Sequence, residues 1–203
     1  IEINLPNQTK KVIKSLQLPL IGIHNIKNCC ASIAVAVLMG ISVSLIKKAI
    51  LEFKGVQRRF NFIFEHENTI YYEDYAHHPT EIYELLKSTR DVYKSKKIIS
   101  IFQPHRISRL NKLKKKFTKC FKYSDQVILC PIYRAGENLK LKFKYNNFAK
   151  DIIKNSKVDL IMINDEKELA KYVKKNIYGN IIVIGMGAGT ISNWMRNLPQ
   201  LIK

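Results

Sequence analysis

From residue 97 onward the chain alternates between short apolar runs and longer stretches whose apolar residues recur at helical spacing. The runs are 97–102 (KIISIF), 126–130 (QVILC), 158–163 (VDLIMI) and 180–185 (NIIVIG). Helical spacing fills 108–123, the region near 146–155, 165–176 and 190–197. A strand that is apolar throughout must be covered on both faces, and strands separated by helices return in parallel. This order predicts a doubly wound α/β fold with a mostly parallel sheet. Two further strands, 60–65 and 69–74, precede it as a short hairpin. A helix is expected from Pro79 to Tyr93, with Pro79 suited to the first turn and Ile82, Leu85, Leu86 and Thr89 on one stripe.

Upstream the pattern differs. Residues 1–23 hold short apolar runs with Pro6 and Pro19 and read as the tail of a sheet whose partners lie earlier in a longer chain. Helical spacing follows at 25–39 and 43–53. Residues 28–46 carry no charge over a length close to that of a bilayer span. Gly40 and Ser42 interrupt them, and the reading is two short helices joined at Met39-Gly40-Ile41, with no membrane span. The boundary between the two parts falls near Gly55. Neither an internal repeat nor a low-complexity linker is visible.

The charge balance is strongly basic, with 35 Lys+Arg against 16 Asp+Glu and a formal net charge of +19. Lysines supply most of it and are scattered, apart from runs at 112–122 and 140–144, and no aromatic RNA-binding signature accompanies them. Nucleic acid is therefore not the expected partner. Cys29, Cys30, Cys120 and Cys130 lack the spacing of a disulfide framework or of a structural zinc site. A reducing, cytoplasmic location is expected. The start at Ile1, without the order of a signal peptide, reads as a fragment.

Ligands of open parallel sheets bind beyond the carboxyl ends of the strands. Three such turns are rich in functional groups: Glu73-Asp74-Tyr75-Ala76-His77-His78-Pro79, Gln103-Pro104-His105-Arg106 and Gly185-Met186-Gly187-Ala188-Gly189. Asp74, His77 and His78 could contact a ligand, or His78-Pro79 could simply open a helix. Arg106 and Arg109, three apart with His105 beside them, suit a carboxylate or phosphate, or else a solvated helix start. The glycines resemble a phosphate-binding turn, yet Thr190 breaks G-x-G-x-x-G, and a close-packed strand-to-helix turn reads equally well. Nowhere does a G-x-x-x-x-G-K-[ST] loop occur.

Five strings in order carry a resemblance: His24-Asn25-x-x-Asn28, Gly55-Val56-Gln57-Arg58-Arg59-Phe60, Asp74-Tyr75-Ala76-His77-His78-Pro79-Thr80-Glu81-Ile82, Phe102-Gln103-Pro104-His105-Arg106 and the late Gly-x-Gly-x-Gly. Together they resemble the Mur ligases, and most nearly the branch that joins L-alanine to UDP-N-acetylmuramate in peptidoglycan precursor synthesis. The murein peptide ligases share the His-His-Pro string; Gln103 to Arg106 favours the first branch. The resemblance implies that residues 1–54 are the end of the central ATP-binding domain and residues 55–203 the C-terminal domain. It implies ATP as co-substrate, with Mg2+ held by residues outside this chain, no metal ligands within it, and no activity of these residues alone.

By motif match, the resemblance implies that Asn25 and Asn28 contact adenine, Arg59 the ATP phosphates and Asp74 the ribose. His77, His105, Arg106 and Arg109 would line the place where alanine and the muramoyl carboxylate meet. A hinge is implied near residues 53–56. Glu73 stands where the family pattern has a second Asp, and the glycine loop departs from it after Ala188. A non-enzymatic remnant, or a repurposed basic binding domain, is the alternative of a different class.

Overall fold

The computed structural model describes residues 1–4, 10–20, 22–138 and 140–202, so Pro6 lies outside the described residues. The chain divides into two compact units, Ile1–Val56 and Gln57–Lys203.

In the first unit, strands β1 (Glu2–Asn4) and β2 (Lys10–Val12) pair with each other, antiparallel, with Glu2 opposite Val12. They form a two-stranded antiparallel ribbon among the described residues. Helices α1 (Ile23–Leu38) and α2 (Val43–Glu52) pack around buried Ile13, Ile33, Val37 and Ile46. Gly40 ends α1 in a left-handed conformation, φ 77°. Its amide donates to Val37 O and that of Ile41 to Ala36 O, the paired bonds of a glycine helix stop. Ser42 then caps α2 by accepting from the Leu45 amide. These local signals split the uncharged stretch in two, and no helix among the described residues is long and apolar enough to cross a membrane.

The second unit is built on a six-stranded sheet. Its strands are β3 (Asn61–His66), β4 (Thr69–Asp74), β5 (Lys97–Phe102), β6 (Gln126–Leu129), β7 (Asp159–Met162) and β8 (Ile181–Met186), in the spatial order β3-β4-β8-β5-β6-β7. Only the β3–β4 pair is antiparallel. Its tight turn needs two successive left-handed residues, supplied by Glu67 and Asn68 at φ 48° and 61°. The last strand enters the middle, pairing with β4 on one side and β5 on the other.

Helices α3 (Pro79–Val92), α4 (Ile107–Phe117) and α5 (Tyr145–Ile152) bury Ile82, Leu86, Leu110, Phe117, Phe148 and Ile152 on one face of the sheet. Helices α6 (Glu166–Asn176) and α7 (Ile191–Leu201) bury Leu169, Val173, Met195 and Leu198 on the other. The strand order explains the division. Steps from β4 to β7 advance in one direction and the step to β8 runs back, so right-handed crossovers put their helices on opposite faces.

Helix α4 stops at Phe117, short of the residue 123 that the sequence pattern suggested, and Ser156 lies at its end. Its hydroxyl donates to Thr118 O and accepts from the Phe121 amide, groups that would otherwise continue α4 toward residue 123. To bring Ser156 there, the chain after α5 widens into a π turn, Ile153–Lys157.

Glu73 joins β4 to α7. It is 3% exposed and accepts from the Ser192 hydroxyl and, at 2.5 and 3.2 Å, from the Arg196 guanidinium. A carboxylate this buried is tolerable only because its oxygens are paired.

Tyr71, fully buried and stacked on Phe64 at 4.2 Å, has a hydroxyl with no hydrogen-bond partner among the described residues. Tyr71→Phe removes that unpaired group and keeps the ring. Thermal unfolding should show a gain of about 1 kcal/mol or no change; a loss of that size would show that the hydroxyl is satisfied in solution.

Candidate active site at the carboxyl edge of the sheet

Because β8 lies between β4 and β5 but sends its chain to the opposite face, the turns after these three strands diverge around a crevice. The turns are knit together by backbone bonds: Gly187 N donates to Asp74 O at 3.2 Å and Gln103 N to Met186 O at 3.0 Å.

The glycine loop is packed, which settles one of its two readings. A Cβ on Gly185 would come within 2.3 Å of Met195, one on Gly187 within 2.8 Å of Gln103 O, and one on Gly189 within 2.4 Å of Gln103 Oε1. Gln103 also occupies the start of α7: its Oε1 accepts from the Ile191 amide at 3.0 Å and its Nε2 donates to the Thr190 hydroxyl at 2.9 Å. The loop's glycines admit neighbouring protein.

Asp74, 8% exposed, uses both oxygens on backbone amides. Oδ2 accepts from Phe60 N at 2.8 Å and Oδ1 from Ala76 N at 2.7 Å, so the carboxylate clasps the segment before β3 to the turn after β4. Burial lifts this carboxyl to about 6, against the lowering effect of the two amides and of Arg59. A ribose contact would require one of these oxygens to accept a second bond.

His78 caps α3, its Nδ1 accepting from Thr80 N, while the Glu81 carboxylate accepts from the amides of His77 and His78. It opens a helix, as the simpler reading had it. His77 points its Nδ1 at Tyr75 O, 3.0 Å away. A carbonyl can only accept, so Nδ1 carries the proton and neutral His77 has its lone pair on Nε2.

His105 is the converse. Its Nδ1 lies 3.1 Å from Arg109 Nη1, which can only donate, so neutral His105 carries its proton on Nε2. Burial, the positive charge of Arg109, and then His77 and Arg106 hold this imidazole below its ordinary value, with Glu137 pulling the other way. The two rings lie 5.8 Å apart. They present one acceptor and one donor from adjacent turns.

These rings belong to a row. Arg58 lies over the Tyr75 ring at 4.7 Å and Arg59 at 5.9 Å, Tyr75 meets His77 edge-on at 5.1 Å, and His105 stacks on Tyr133 at 5.6 Å. Arg58 also donates to Gly187 O at 3.2 Å, whereas Arg59 is exposed. The structure thus groups Arg59, His77, His105 and Arg109. Arg106 is exposed at the first turn of α4 with φ 68°. Asn25, half-buried, and Asn28, exposed, lie one turn apart on α1 in the first unit. No group of three or more His, Cys, Asp or Glu side chains among the described residues is placed to hold a metal ion.

Sequence reasoning missed Arg58 as a latch, Gln103 as a helix cap and Tyr133 as the end of the row. The first two sat within quoted motifs whose functional reading hid their packing duty. Tyr133 lies in a loop that carried no signal at all.

Residues 58–189 match the family described as "Mur ligase, glutamate ligase domain". The fold is a doubly wound α/β domain with its functional groups at the carboxyl edge of the sheet, and the chain belongs to the Mur ligase family. It is 63% identical over 200 residues to the UDP-N-acetylmuramate–L-alanine ligase of Pelagibacter ubique (strain HTCC1062), covering 98% of this chain and 43% of that protein. Against the enzyme of the same name from Bartonella tribocorum it is 38% identical over 188 residues, 93% of this chain and 39% of the relative. The crystal structure of UDP-N-acetylmuramate–alanine ligase from Thermotoga maritima matches with a TM-score of 0.74 at 29% identity, over 91% of this chain and 39% of that one. A murein peptide ligase from Psychrobacter arcticus shares the fold, with a TM-score of 0.70 at 18% identity over 92% of this chain and 38% of that one. The chain spans about two-fifths of the length of the curated relatives it matches.

Two measurements check the site's construction. Gly187 has φ 148°, and its absent Cβ would strike a backbone oxygen, so Gly187→Ala should destabilise the chain by about 1–3 kcal/mol in denaturant titration. Asp74 should titrate near pH 6 in carboxyl NMR. Its folded pKa lies above the unfolded value of 3.8, so the folded state binds the proton more tightly. Its contribution to stability therefore rises as pH falls from 6 to 4, and a midpoint near 4 would refute the burial argument.

Proposed function

We propose that this chain is the C-terminal part of the ATP-dependent ligase that joins L-alanine to UDP-N-acetylmuramate. Residues 1–54 would be the end of its central ATP-binding domain and residues 55–203 its C-terminal domain. The observation that carries the reading is the 63% identity to a relative of that name, held across nearly the whole chain. The donor and acceptor imidazoles beside Arg109 support it, because amide formation needs both proton transfer and charge stabilisation.

In this reading ATP converts the muramoyl carboxylate to an acyl phosphate, the amine of alanine attacks its carbonyl carbon, and phosphate leaves the tetrahedral intermediate. His77 Nε2 is the group suited to take a proton from the alanine ammonium, with Tyr75 O fixing its tautomer. His105 Nε2–H is a donor to a carboxylate or phosphate oxygen. Arg109 pins that ring and adds positive charge, and exposed Arg106 offers a further anion contact. Arg59 suits the ATP phosphates, Asp74 the ribose, and Asn25 and Asn28, with amides that both donate and accept, suit adenine. Among the described residues no cluster of His, Cys, Asp or Glu suits Mg2+, which belongs in this reading to residues outside this chain. The setting is the cytoplasm, where both UDP-sugar and ATP are supplied.

A chimera carrying this chain in place of the matching 200 residues of the Pelagibacter ubique ligase tests the reading, with the 203-residue chain alone beside it. Phosphate release that requires both UDP-N-acetylmuramate and L-alanine is expected from the chimera and not from the chain. His77→Ala should lower kcat by about 100-fold or more in the chimera. A folded chimera without turnover would move the assignment to a non-enzymatic domain.

A further inference from the structure

The loop after β6 makes contacts that its sequence does not announce. Tyr133 forms an isolated parallel bridge with His105: its amide donates to Pro104 O at 2.8 Å, and its carbonyl accepts from Arg106 N at 2.9 Å. Its ring covers His105, and it comes so close to the glycine loop that a Cβ on Gly189 would lie 2.6 Å from Tyr133 Cγ. Arg134 to Glu137 then turn back through left-handed Ala135 and Gly136, at φ 51° and 80°, closed by the Glu137 amide on Arg134 O at 3.1 Å. That reversal carries the Glu137 carboxylate to the start of α4, where it accepts from the amides of Ile107 and Ser108 and from the Ser108 hydroxyl.

The residue held between these two anchors is Arg106. A non-glycine residue at φ 68° is costly and persists only where the surroundings fix it. Here the fixing groups are Tyr133 O on its own amide and Glu137 on the amide that follows. The turn they stabilise sets the direction of His105 before it and of Arg109 one helical turn after it. Within α4, Arg109 reaches back to the His105 ring and carbonyl, but the helix has no side-chain cap of its own to hold the turn at Arg106.

We propose that Tyr133 and Glu137 form a positioning clamp for the candidate site: the loop after β6 holds the His105–Arg109 turn in its strained conformation, and the Tyr133 ring keeps the stacked His105 ring against Arg109. Neither side chain needs to touch substrate. The clamp rests on the ligase reading for its consequence in catalysis, but its effect on His105 is independent of that reading.

The test measures both. Imidazole nitrogen NMR of the 203-residue chain, with His105→Gln to assign the signal, follows the tautomer and titration of His105 in Tyr133→Leu and Tyr133→Phe. The groups facing His105 are Arg109 and Arg106 from α4 and its entry, His77 from the turn after β4, and Glu137 from the clamp itself. Tyr133→Leu uncovers the ring and frees it to turn away from Arg109, so its titration should move up toward the ordinary imidazole value and the Nε2–H form, which Arg109 selects, should lose its dominance. Tyr133→Phe keeps the stack and should behave as the parent. In the chimera, Tyr133→Leu should lower kcat/KM by about 10- to 100-fold and Tyr133→Phe should leave it unchanged.

An unmoved His105 in folded Tyr133→Leu would overturn the proposal, whatever the chimera does. A moved His105 beside an inactive parent chimera would uphold the clamp and count against the ligase reading alone. If Tyr133→Leu fails to fold, Glu137→Gln answers in its place: weaker capping of α4 should shift His105 and Arg109 signals, and unchanged signals would overturn the clamp.

Discussion

The second unit depends on the insertion of β8 between β4 and β5. Residues from the end of the chain complete the sheet's centre, pairing Gly185 with Glu73 on one side and with Ile101 on the other. Until that strand is in place, β4 and β5 have no common neighbour and their carboxyl turns have no reason to meet. The insertion requires close approach, and the glycines provide it. Gly185 makes room for Met195 from α7, Gly187 for the Gln103 backbone, and Gly189 for Gln103 and Tyr133.

Once β8 is seated, polar groups lock the crevice from several directions. Gln103 caps α7, Glu73 binds Ser192 and Arg196 of the same helix, and Asp74 binds the Phe60 and Ala76 amides. Apart from the Asp74–Ala76 bond, each lock spans distant parts of the sequence, and each pairs a group that would be costly to bury alone. The result is a rigid floor from which exposed or half-buried side chains rise: Arg59, His77, His105, Arg106 and Arg109. Rigidity of this kind suits the proposed task of holding anions and moving a proton, because charge stabilisation works best when the dipoles need no rearrangement.

The crevice also shows why residues next to one another in sequence take different work. Asp74 and Glu73 point to opposite sides of β4, one to the turn and one to α7. His77 presents a ring to the crevice while His78 spends its ring on a helix cap. Arg58 is latched to Gly187 while Arg59 stays exposed. In each pair the motif marked both residues and could not divide the labour between them.

The alternation of apolar strands with amphipathic helices determined the doubly wound class, because periods of two and of 3.6 residues are local properties that every turn repeats. Local chemistry likewise placed the helix stop at Gly40 and the helix entry at Pro79. The quoted strings determined the family and the three turns that matter. Strand order was not legible, since nothing in NIIVIG says that it belongs between the fourth and fifth strands rather than at an edge. The tautomers of His77 and His105, the packing duty of the glycines, the clasp made by Asp74 and the clamp made by Tyr133 were not legible either. The glycine packing, the Asp74–Phe60 bond and the Tyr133 clamp arise from contacts between residues far apart in the chain, while the two tautomers rest on near neighbours, Tyr75 and Arg109, that meet the rings only in the backbone conformation the folded turns impose.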